Sequence, residues 1–342
     1  MRKKSTLTLK NIAEKLGFSE TTVSRALSGQ AAKYRISPET EKAVLDLASE
    51  LHFSPNQLAR SLRLQRTHTI GLMIPDISNP FFASIARNVE KEARNAGYSV
   101  IIADTEESEA IEMESVRLLR GRKVDGMVVA PVGQNAAHLE KVFASGMPMV
   151  LIDRYFPESQ IPYVASDNFS GAFQAVRHLI ENGHERIACI QGLENTLPNL
   201  ERLRGFRQAH EEAGINVDET LVVGDSFGYQ NGYIETKILV KRDPRPTAIF
   251  AVSNLISLGS LNALNEEGLG IPEDVSLVSF DDQLYSAFLA TPMTTVVQQN
   301  EQIGQIAVKL LFTQIESRIL PLPGGILIPT TLVPRKSVKR IH

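Results

Sequence analysis

Apolar residues between positions 9 and 51 recur at helical intervals, in three short groups. Gly17 interrupts the pattern after the first group, Ser19 can cap the second helix, and Ser37-Pro38 offers a capping residue and a proline at the start of the third. The apolar faces are Leu9, Ile12, Ala13 and Leu16, then Val23, Ala26 and Leu27, then Val44, Leu47, Ala48 and Leu51. The pattern predicts a small three-helix unit.

From Thr69 onward, short apolar or β-branched runs alternate with longer amphipathic segments. The runs are 69–74, 99–103, 126–130, 148–152, 187–191, 248–251 and 276–279. Unbroken apolar strands that alternate with helices are typical of parallel sheets covered on both faces. Because there are more strands than one sheet usually holds, we predict an α/β fold with two doubly wound parallel sheets in two similar lobes, the first closing near Ser166.

The charge of the chain is unevenly distributed. The whole chain of 342 residues carries 36 Lys and Arg against 39 Asp and Glu, a formal net charge of -3. Residues 1–66 carry 12 basic and 6 acidic side chains, a net charge of +6, which leaves a net charge of -9 for the remainder. A cationic head on an anionic body indicates that the head alone binds a polyanion.

The expected cellular compartment depends on whether the sequence contains a signal peptide or membrane span, and on its single cysteine. The basic residues 1–6 are not followed by an apolar stretch, and no apolar run has the length of a membrane span, so neither secretion nor membrane insertion is expected. Cys189 lies in an apolar run and has no second cysteine with which to form an internal disulfide. We therefore expect Cys189 to be a buried strand residue and the protein to be cytoplasmic.

The segment 9–27 has the spacing of a helix-turn-helix, in which the second helix enters the DNA major groove. Near the start of that helix, Glu20, Thr21, Ser24 and Arg25 point outward. A guanidinium can reach guanine O6 and N7 bidentately, a carboxylate can accept from cytosine N4, and threonine can contact a base or a thymine methyl. A three-helix bundle with a solvated polar face is the alternative, and the local positive charge argues against it.

Motifs along nearly the whole chain resemble those of the LacI (lactose-repressor) family. They are Thr8-Leu9-Lys10-Asn11-Ile12-Ala13, Gly17-Phe18-Ser19, Thr22-Val23-Ser24-Arg25-Ala26-Leu27, Ser54-Pro55-Asn56, Pro75-Asp76-Ile77-Ser78-Asn79-Pro80-Phe81-Phe82, Ile152-Asp153-Arg154, Asp167-Asn168, Gly183-His184, Arg202-Leu203-Arg204-Gly205-Phe206 and Ser279-Phe280-Asp281-Asp282. They occur in the order of the family. The resemblance implies a homodimeric transcription regulator, most often a repressor, that binds a pseudo-palindromic operator on double-stranded DNA and responds to a small, sugar-like effector.

For the DNA-binding part, the resemblance implies roles by position. Base contacts fall to Glu20, Thr21 and Arg25, and backbone contacts fall to Thr8, Ser24, Ser37 and Asn56. Leu62 would enter the minor groove as a wedge. No leucine heptads follow Val333, so we expect a dimer rather than a tetramer.

For the body, the resemblance implies a periplasmic-binding-protein-like domain that closes around the effector and uses no cofactor or metal. The positions that match ligand-binding residues are Phe81, Asp153, Arg202, Phe227, Asp281 and Gln298. Paired donors and acceptors suit hydroxyl groups, and an aromatic face suits the C–H surface of a sugar ring. Each residue also has an ordinary interpretation: Asp153 as a helix cap, Arg202 in a surface ion pair, and Phe81 or Phe227 in the core.

The resemblance sets the expected domain limits. Residues 1–53 form the helix-turn-helix head, 54–68 a hinge helix and linker, and 69–342 the effector-binding and dimerisation domain. The first lobe is expected at about 69–166 plus 298–328, and the second at about 167–297 plus 329–342. The chain departs from the family pattern between Ser28 and Ile36, where the loop is a few residues longer than in the lactose repressor and carries Lys33-Tyr34-Arg35, and at Ser253-Asn254, where the family often has Asn-Asp.

Two other classes of protein share parts of this pattern. Alternating strands and helices also build nucleotide-binding enzymes, but the sequence contains no G-x-G-x-x-G after the strands, no P-loop, no G-x-S-x-G and no H-E-x-x-H. A secreted sugar-binding protein would share the fold of the body. The cationic head and the lack of a signal peptide argue against it.

Overall fold

The computed structural model describes residues 8–27, 29–51, 53, 66–317 and 324–341. The chain divides into an N-terminal unit, which ends at Thr67, and a C-terminal unit, which begins at His68. Each unit has an apolar core of its own. The predicted hinge helix falls mainly on residues 54–65, so that prediction, together with Asn56 and Leu62, lies outside the described residues.

The described part of the N-terminal unit contains three α-helices, as the sequence predicts. They are α1 (Leu9–Leu16), α2 (Glu20–Leu27) and α3 (Pro38–Glu50). Gly17 ends α1 with a left-handed φ of 68°, a conformation that glycine adopts at little steric cost. The Ser19 hydroxyl accepts from the backbone N–H of Thr22 at 3.1 Å. The Ser37 hydroxyl accepts from the backbone N–H of Thr40 at 3.2 Å and so caps α3.

The core of the N-terminal unit consists of predicted apolar positions from all three helices. They are Ile12, Ala13, Val23, Ala26, Val44 and Ala48. A short 3₁₀ helix, Ala32–Tyr34, lies in the connection between α2 and α3. The helix that starts at Glu20 therefore has one face packed on its neighbours and one face exposed, which is the arrangement that a DNA-reading helix needs.

The C-terminal unit contains two six-stranded sheets. The first has the order β11-β5-β4-β3-β1-β2, with β1 Thr69–Ile74, β2 Ser99–Asp104, β3 Gly126–Val129, β4 Met149–Ile152, β5 Tyr163–Ser166 and β11 Gly325–Ile328. The second has the order β12-β10-β9-β8-β6-β7, with β6 Ile187–Ile190, β7 Val222–Val223, β8 Ala248–Ala251, β9 Ser276–Phe280, β10 Thr294–Val297 and β12 Thr331–Val333. Each sheet with its helices forms one lobe.

Helices accompany both sheets. The first lobe has α4 (Pro80–Asn95), α5 (Glu109–Gly121), α6 (Ala137–Ala144) and α11 (Asn300–Ser317), and α11 packs against α4. The second lobe has α7 (Asn168–Glu181), α8 (Leu197–Glu212), α9 (Tyr229–Leu239) and α10 (Asn254–Glu266), with a 3₁₀ helix at Glu219–Leu221. In the described residues, none of the helices has the length and apolar character that crossing a bilayer requires.

The predicted α/β architecture with two sheets is confirmed. Each predicted strand is observed, with its ends shifted by at most one residue. The two sheets are parallel except at one edge, where β12 runs antiparallel to β10. The chain passes to the second lobe after β5, returns after β10 and crosses again between β11 and β12, so the carboxyl ends of strands from both lobes border a common cleft.

Candidate functional sites

A polar cleft lies between the two lobes of the C-terminal unit. It is lined by Asn79, Phe81, Phe82, Glu107, Asp153, Arg154, Pro198, Arg202, Phe227, Ser253, Asn254, Asp281 and Gln298. All six body residues that the sequence analysis named are among them. The cavity measures about 40 Å³, whereas ligand pockets usually measure several hundred Å³, so in this conformation it is too small for a sugar-sized molecule.

Asp153 follows β4 directly and has a left-handed φ of 60°. This backbone conformation is uncommon for a residue with a side chain, and such outliers cluster at functional sites. The carboxyl group is buried, and burial raises its pKa to about 6, although the charges of Arg154 and Arg202 act in the opposite direction. Asp153 caps no helix in the described structure, so its ordinary interpretation is wrong.

Arg202 projects from α8 and is 3% exposed. Its Nε donates to Asn168 Oδ1 at 2.8 Å and one terminal nitrogen donates to the carbonyl of Val252 at 2.6 Å. The guanidinium lies 3.8 Å from the ring centroid of Phe280, and burial lowers its pKa. Arg202 is therefore a rigidly held buried cation and not a member of a surface ion pair.

Asp281 follows β9 in the way that Asp153 follows β4, with a left-handed φ of 74°. Gln298 Nε2 donates to one of its carboxylate oxygens, and the backbone N–H of Asn254 donates to the other at 3.3 Å. Burial raises the pKa of Asp281, while Arg202 and these hydrogen bonds favour the ionised form. The two lobes thus present a similar element to the cleft, a strand that ends in a buried, left-handed aspartate.

Arg154 and Glu107 form a bidentate ion pair at the cleft, with both N–O distances 2.6 Å. The Arg154 guanidinium also lies 5.6 Å from the ring centroid of Phe227. This pair was not among the ligand-binding positions expected from the sequence. Arg154 stands beside Asp153 in a quoted motif and could have been inferred, but Glu107 belongs to a loop after β2 and carries no pattern that would reveal it.

Within the part of the chain that the structure describes, three residues of the cleft each keep a buried polar atom without a hydrogen bond. These atoms are Arg154 Nε, Asn254 Oδ1 and Gln298 Oε1. Buried polar groups are nearly always satisfied, and each unmet one is costly. One donor and two acceptors that lack partners suit ligand hydroxyls, because a hydroxyl both donates and accepts.

The aromatic residues of the cleft belong to both lobes. Phe81 and Phe82 are buried in the first-lobe core and touch each other edge to face, with ring centroids 4.9 Å apart. Phe227 is partly buried and packs against the second-lobe core. Each of these rings also lines the cleft, so packing in a core does not exclude contact with a ligand.

In the N-terminal unit, Glu20 and Thr21 are exposed in the first turn of α2, and Arg25 is half-buried in its last turn. Thr8 and Ser37 are exposed at the starts of α1 and α3. Asn11 Oδ1 accepts from both the backbone N–H and the hydroxyl of Thr8, at 2.8 Å in each case. The predicted base-reading positions therefore share one exposed helix, and Ser24 is half-buried on the same helix.

Family models match both units. The model described as bacterial regulatory proteins of the lacI family matches residues 8–56, and the model described as periplasmic binding proteins and sugar-binding domain of the LacI family matches residues 67–333. Catabolite control protein A of Priestia megaterium is 32% identical over 326 residues, which cover 94% of this chain and 97% of that protein. The ribose operon repressor of Halalkalibacterium halodurans is 36% identical over 332 residues, 97% of each chain.

Solved structures agree with this fold. The transcriptional regulator CelR in complex with cellobiose is 33% identical and superposes with a TM-score of 0.73 over 97% of this chain and 99% of that one. The lac repressor dimer bound to operator and the anti-inducer ONPF is 24% identical, with a TM-score of 0.86 over 98% of this chain and 100% of that one, and supports the fold.

A helix-turn-helix unit followed by a two-lobed, periplasmic-binding-protein-like domain defines a class of DNA-binding transcription regulators. The chain belongs to the LacI family. Of the relatives described above, one is named a control protein, one a repressor and one a transcriptional regulator.

Proposed function

We propose that this protein is a cytoplasmic repressor that binds a pseudo-palindromic operator as a homodimer and is controlled by a neutral, polyhydroxylated effector of the sugar class. The observation that carries the effector assignment is the cleft itself, which combines two buried aspartates, a fixed buried arginine and three polar atoms without partners. Relatives support the class of ligand: one is named a ribose operon repressor, and another was solved as a complex with cellobiose.

The charges of the cleft favour a neutral effector over a sugar phosphate or sugar acid. Arg154 is already paired bidentately with Glu107. Arg202 is already hydrogen-bonded and faces Asp153 and Asp281. An anionic ligand would add negative charge to a buried site that already holds three carboxyl groups, which costs free energy. Hydroxyl groups meet the same donors and acceptors without that cost.

For DNA binding, we propose the residue roles that the resemblance to the family implies by position. Glu20, Thr21 and Arg25 read bases from α2, while backbone contacts come from Thr8, Ser24, Ser37 and Asn56, and Leu62 is the minor-groove wedge. The exposure of the first turn of α2 and the net charge of +6 on residues 1–66 support this proposal. The proposed limits are 1–53 for the head, 54–68 for the hinge and 69–342 for the body.

An exposed apolar surface on the second lobe supports the homodimer. Leu284 and Phe288, in the segment between β9 and β10, are 93% and 86% exposed. Two large apolar side chains so fully exposed, four residues apart in one segment, favour an interaction site there. We assign a second copy of the chain to this surface, since a pseudo-palindromic operator requires two heads and symmetric dimers use the same patch on both subunits.

A thermal stability screen of the full chain tests the effector assignment. The panel contains neutral mono- and disaccharides, the corresponding sugar phosphates and sugar acids, and nucleosides. A ligand that binds the folded form raises the unfolding midpoint, and we expect at least one neutral sugar to do so in the wild-type protein and to lose this effect in Arg202→Ala. Stabilisation by sugar phosphates or sugar acids alone would contradict the assignment.

A further inference from the structure

Arg25 in the last turn of α2 stacks on Tyr34. The guanidinium carbon lies 3.8 Å from the centroid of the tyrosine ring, and Lys33 Nζ lies 5.9 Å from the same centroid. Tyr34 belongs to the connection between α2 and α3, in the part where this chain is longer than the lactose repressor. A residue assigned to base reading therefore contacts a segment that is longer here than in the lactose repressor.

Backbone hydrogen bonds and a buried alanine fix the conformation of the connection between α2 and α3. Ala31 is buried in the unit, and the backbone N–H of Ile36 donates to its carbonyl at 2.9 Å. The backbone N–H of Gln30 donates to the carbonyl of Arg25 at 3.0 Å, which ties the start of the connection to α2. Arg35 closes the 3₁₀ turn in a left-handed conformation with φ of 55°. These contacts hold the backbone of the segment that carries Tyr34 close to the end of α2.

Stacking leaves the hydrogen-bonding capacity of Arg25 available. A guanidinium that stacks with its flat face on a ring keeps its N–H donors accessible, because they lie at its edge in the plane of the group. Among the described residues, no carboxylate forms a salt bridge with Arg25. A long, flexible side chain is thus ordered before it meets a partner, which reduces the entropy lost when a bidentate contact forms.

We propose that Tyr34 is a positioning residue that orients Arg25 for a bidentate contact with guanine, so that the α2–α3 connection sets part of the operator specificity. The proposal rests on the proposed DNA-binding function and on the assignment of Arg25 to base reading. Tyr34 is 41% exposed, so its hydroxyl is also accessible to a phosphate, and the test must separate the ring from the hydroxyl.

The experiment begins by selecting operator duplexes from a random library with the full wild-type chain. The base pair that Arg25 reads is then identified with Arg25→Ala. It is the pair at which a substitution weakens binding of the wild type but not of this variant. Dissociation constants are measured for wild type, Tyr34→Phe, Tyr34→Leu and Tyr34→Ala on the selected operator and on a duplex altered at that base pair. Tyr34→Leu preserves apolar bulk, and thermal unfolding of each variant checks that the head stays folded.

We expect Tyr34→Phe to bind within about twofold of wild type, and Tyr34→Leu and Tyr34→Ala to lose roughly threefold to thirtyfold on the selected operator, the range of a cation–π contact. On the altered duplex the same variants should match wild type, so discrimination at that base pair falls. In an Arg25→Ala background, changes at Tyr34 should have little further effect, as for coupled residues in a double-mutant cycle.

Three results would overturn the proposal. An equal loss in Tyr34→Phe would show that the hydroxyl contacts DNA. An equal loss on both duplexes would show a general role of the connection that is unrelated to reading a base. Wild-type affinity in Tyr34→Leu would show that the stack contributes nothing. Failure of the wild-type chain to enrich any sequence is a different result, because it would overturn the proposed function itself.

Discussion

Asn254 donates a hydrogen bond from its side-chain amide to Oδ1 of Asn79, at 3.0 Å, and so joins the second lobe to the first across the cleft. Each residue lies at a helix N-terminus: Asn254 begins α10, and Asn79 caps α4, where its Oδ1 also accepts from the backbone N–H of Phe81 at 3.0 Å. Both side chains are buried. The bond must break for the lobes to separate, so it favours the closed cleft.

Asn254→Ala should therefore weaken effector binding, because it removes the bond between the lobes and a polar atom of the cleft. We expect a loss of roughly threefold to tenfold, the range of one buried hydrogen bond. Calorimetric titration of the full chain measures the dissociation constant. Asn262→Ala is the matched control, since Asn262 lies in the same helix and bonds to Glu266 at the surface. Equal affinity in wild type and Asn254→Ala would contradict a role for this bond.

Arg202→Ala should abolish the effector response and leave operator binding without effector unchanged. The substitution removes hydrogen bonds to Asn168 and Val252 and leaves Asp281 without its cation, so we expect it also to lower the free energy of unfolding by about 1–3 kcal/mol. Denaturant titration and operator binding with and without effector are the measurements.

Arg204→Ala is the control for Arg202, because Arg204 lies on the exposed side of the same helix and pairs with Glu201. Exposed pairs contribute little to stability, so this variant should resemble wild type. If Arg202→Ala kept a full effector response, its assignment to the cleft would be wrong.

Asp153 gives the cleft a pH dependence. In the folded state its pKa is raised to about 6 from 3.8, so the folded protein holds this proton more tightly than the unfolded chain. The stability that the proton contributes is therefore lost as the pH rises from about 3.8 through about 6. Replacement by asparagine removes this loss. The stabilisation by Asp153→Asn should grow by about 1.5 kcal/mol between pH 5 and pH 8. A stabilisation that is the same at both pH values, measured by urea unfolding, would be inconsistent with the shift.

Phe288→Asp should convert the dimer to monomers, because it buries a charge in the proposed interface. Sedimentation velocity measures the change. Operator affinity should fall with it, since two linked heads bind much more tightly than one. Leu200→Asp is the control, as Leu200 is an exposed apolar residue of α8. A Phe288→Asp protein that stays dimeric would place the interface elsewhere, and a mainly tetrameric wild type would contradict the expected dimer.

The sequence predicts the fold well where burial determines the pattern. Strands such as Thr69–Ile74 and Ala248–Ala251 are covered on both faces, so their apolar runs are unbroken and reveal them. The short edge strands Val222–Val223 and Thr331–Val333 contain too few residues to form such a pattern. Their strand character depends on pairing with neighbours that are distant in sequence.

Cleft residues could be predicted where they follow a strand and belong to a motif that resembles the family, as Asp153 and Asp281 do. They could not be predicted where a side chain reaches the cleft from a loop, as Glu107 does, or where two lobes must close before two residues meet, as for Asn79 and Asn254. The stacking of Arg25 on Tyr34 likewise depends on the turn that follows α2, and no periodicity in the sequence encodes it.

We propose above that a neutral polyhydroxylated ligand in the cleft controls DNA binding by the head. The most direct test is fluorescence anisotropy of the full wild-type chain on its selected operator, titrated with the panel of neutral sugars, sugar phosphates and sugar acids, with Arg202→Ala in parallel. We expect at least one neutral sugar to shift the operator dissociation constant by roughly fivefold or more, the usual range of allosteric coupling, and Arg202→Ala not to respond. A shift produced by anionic ligands alone, or an equal shift in Arg202→Ala, would contradict this proposal.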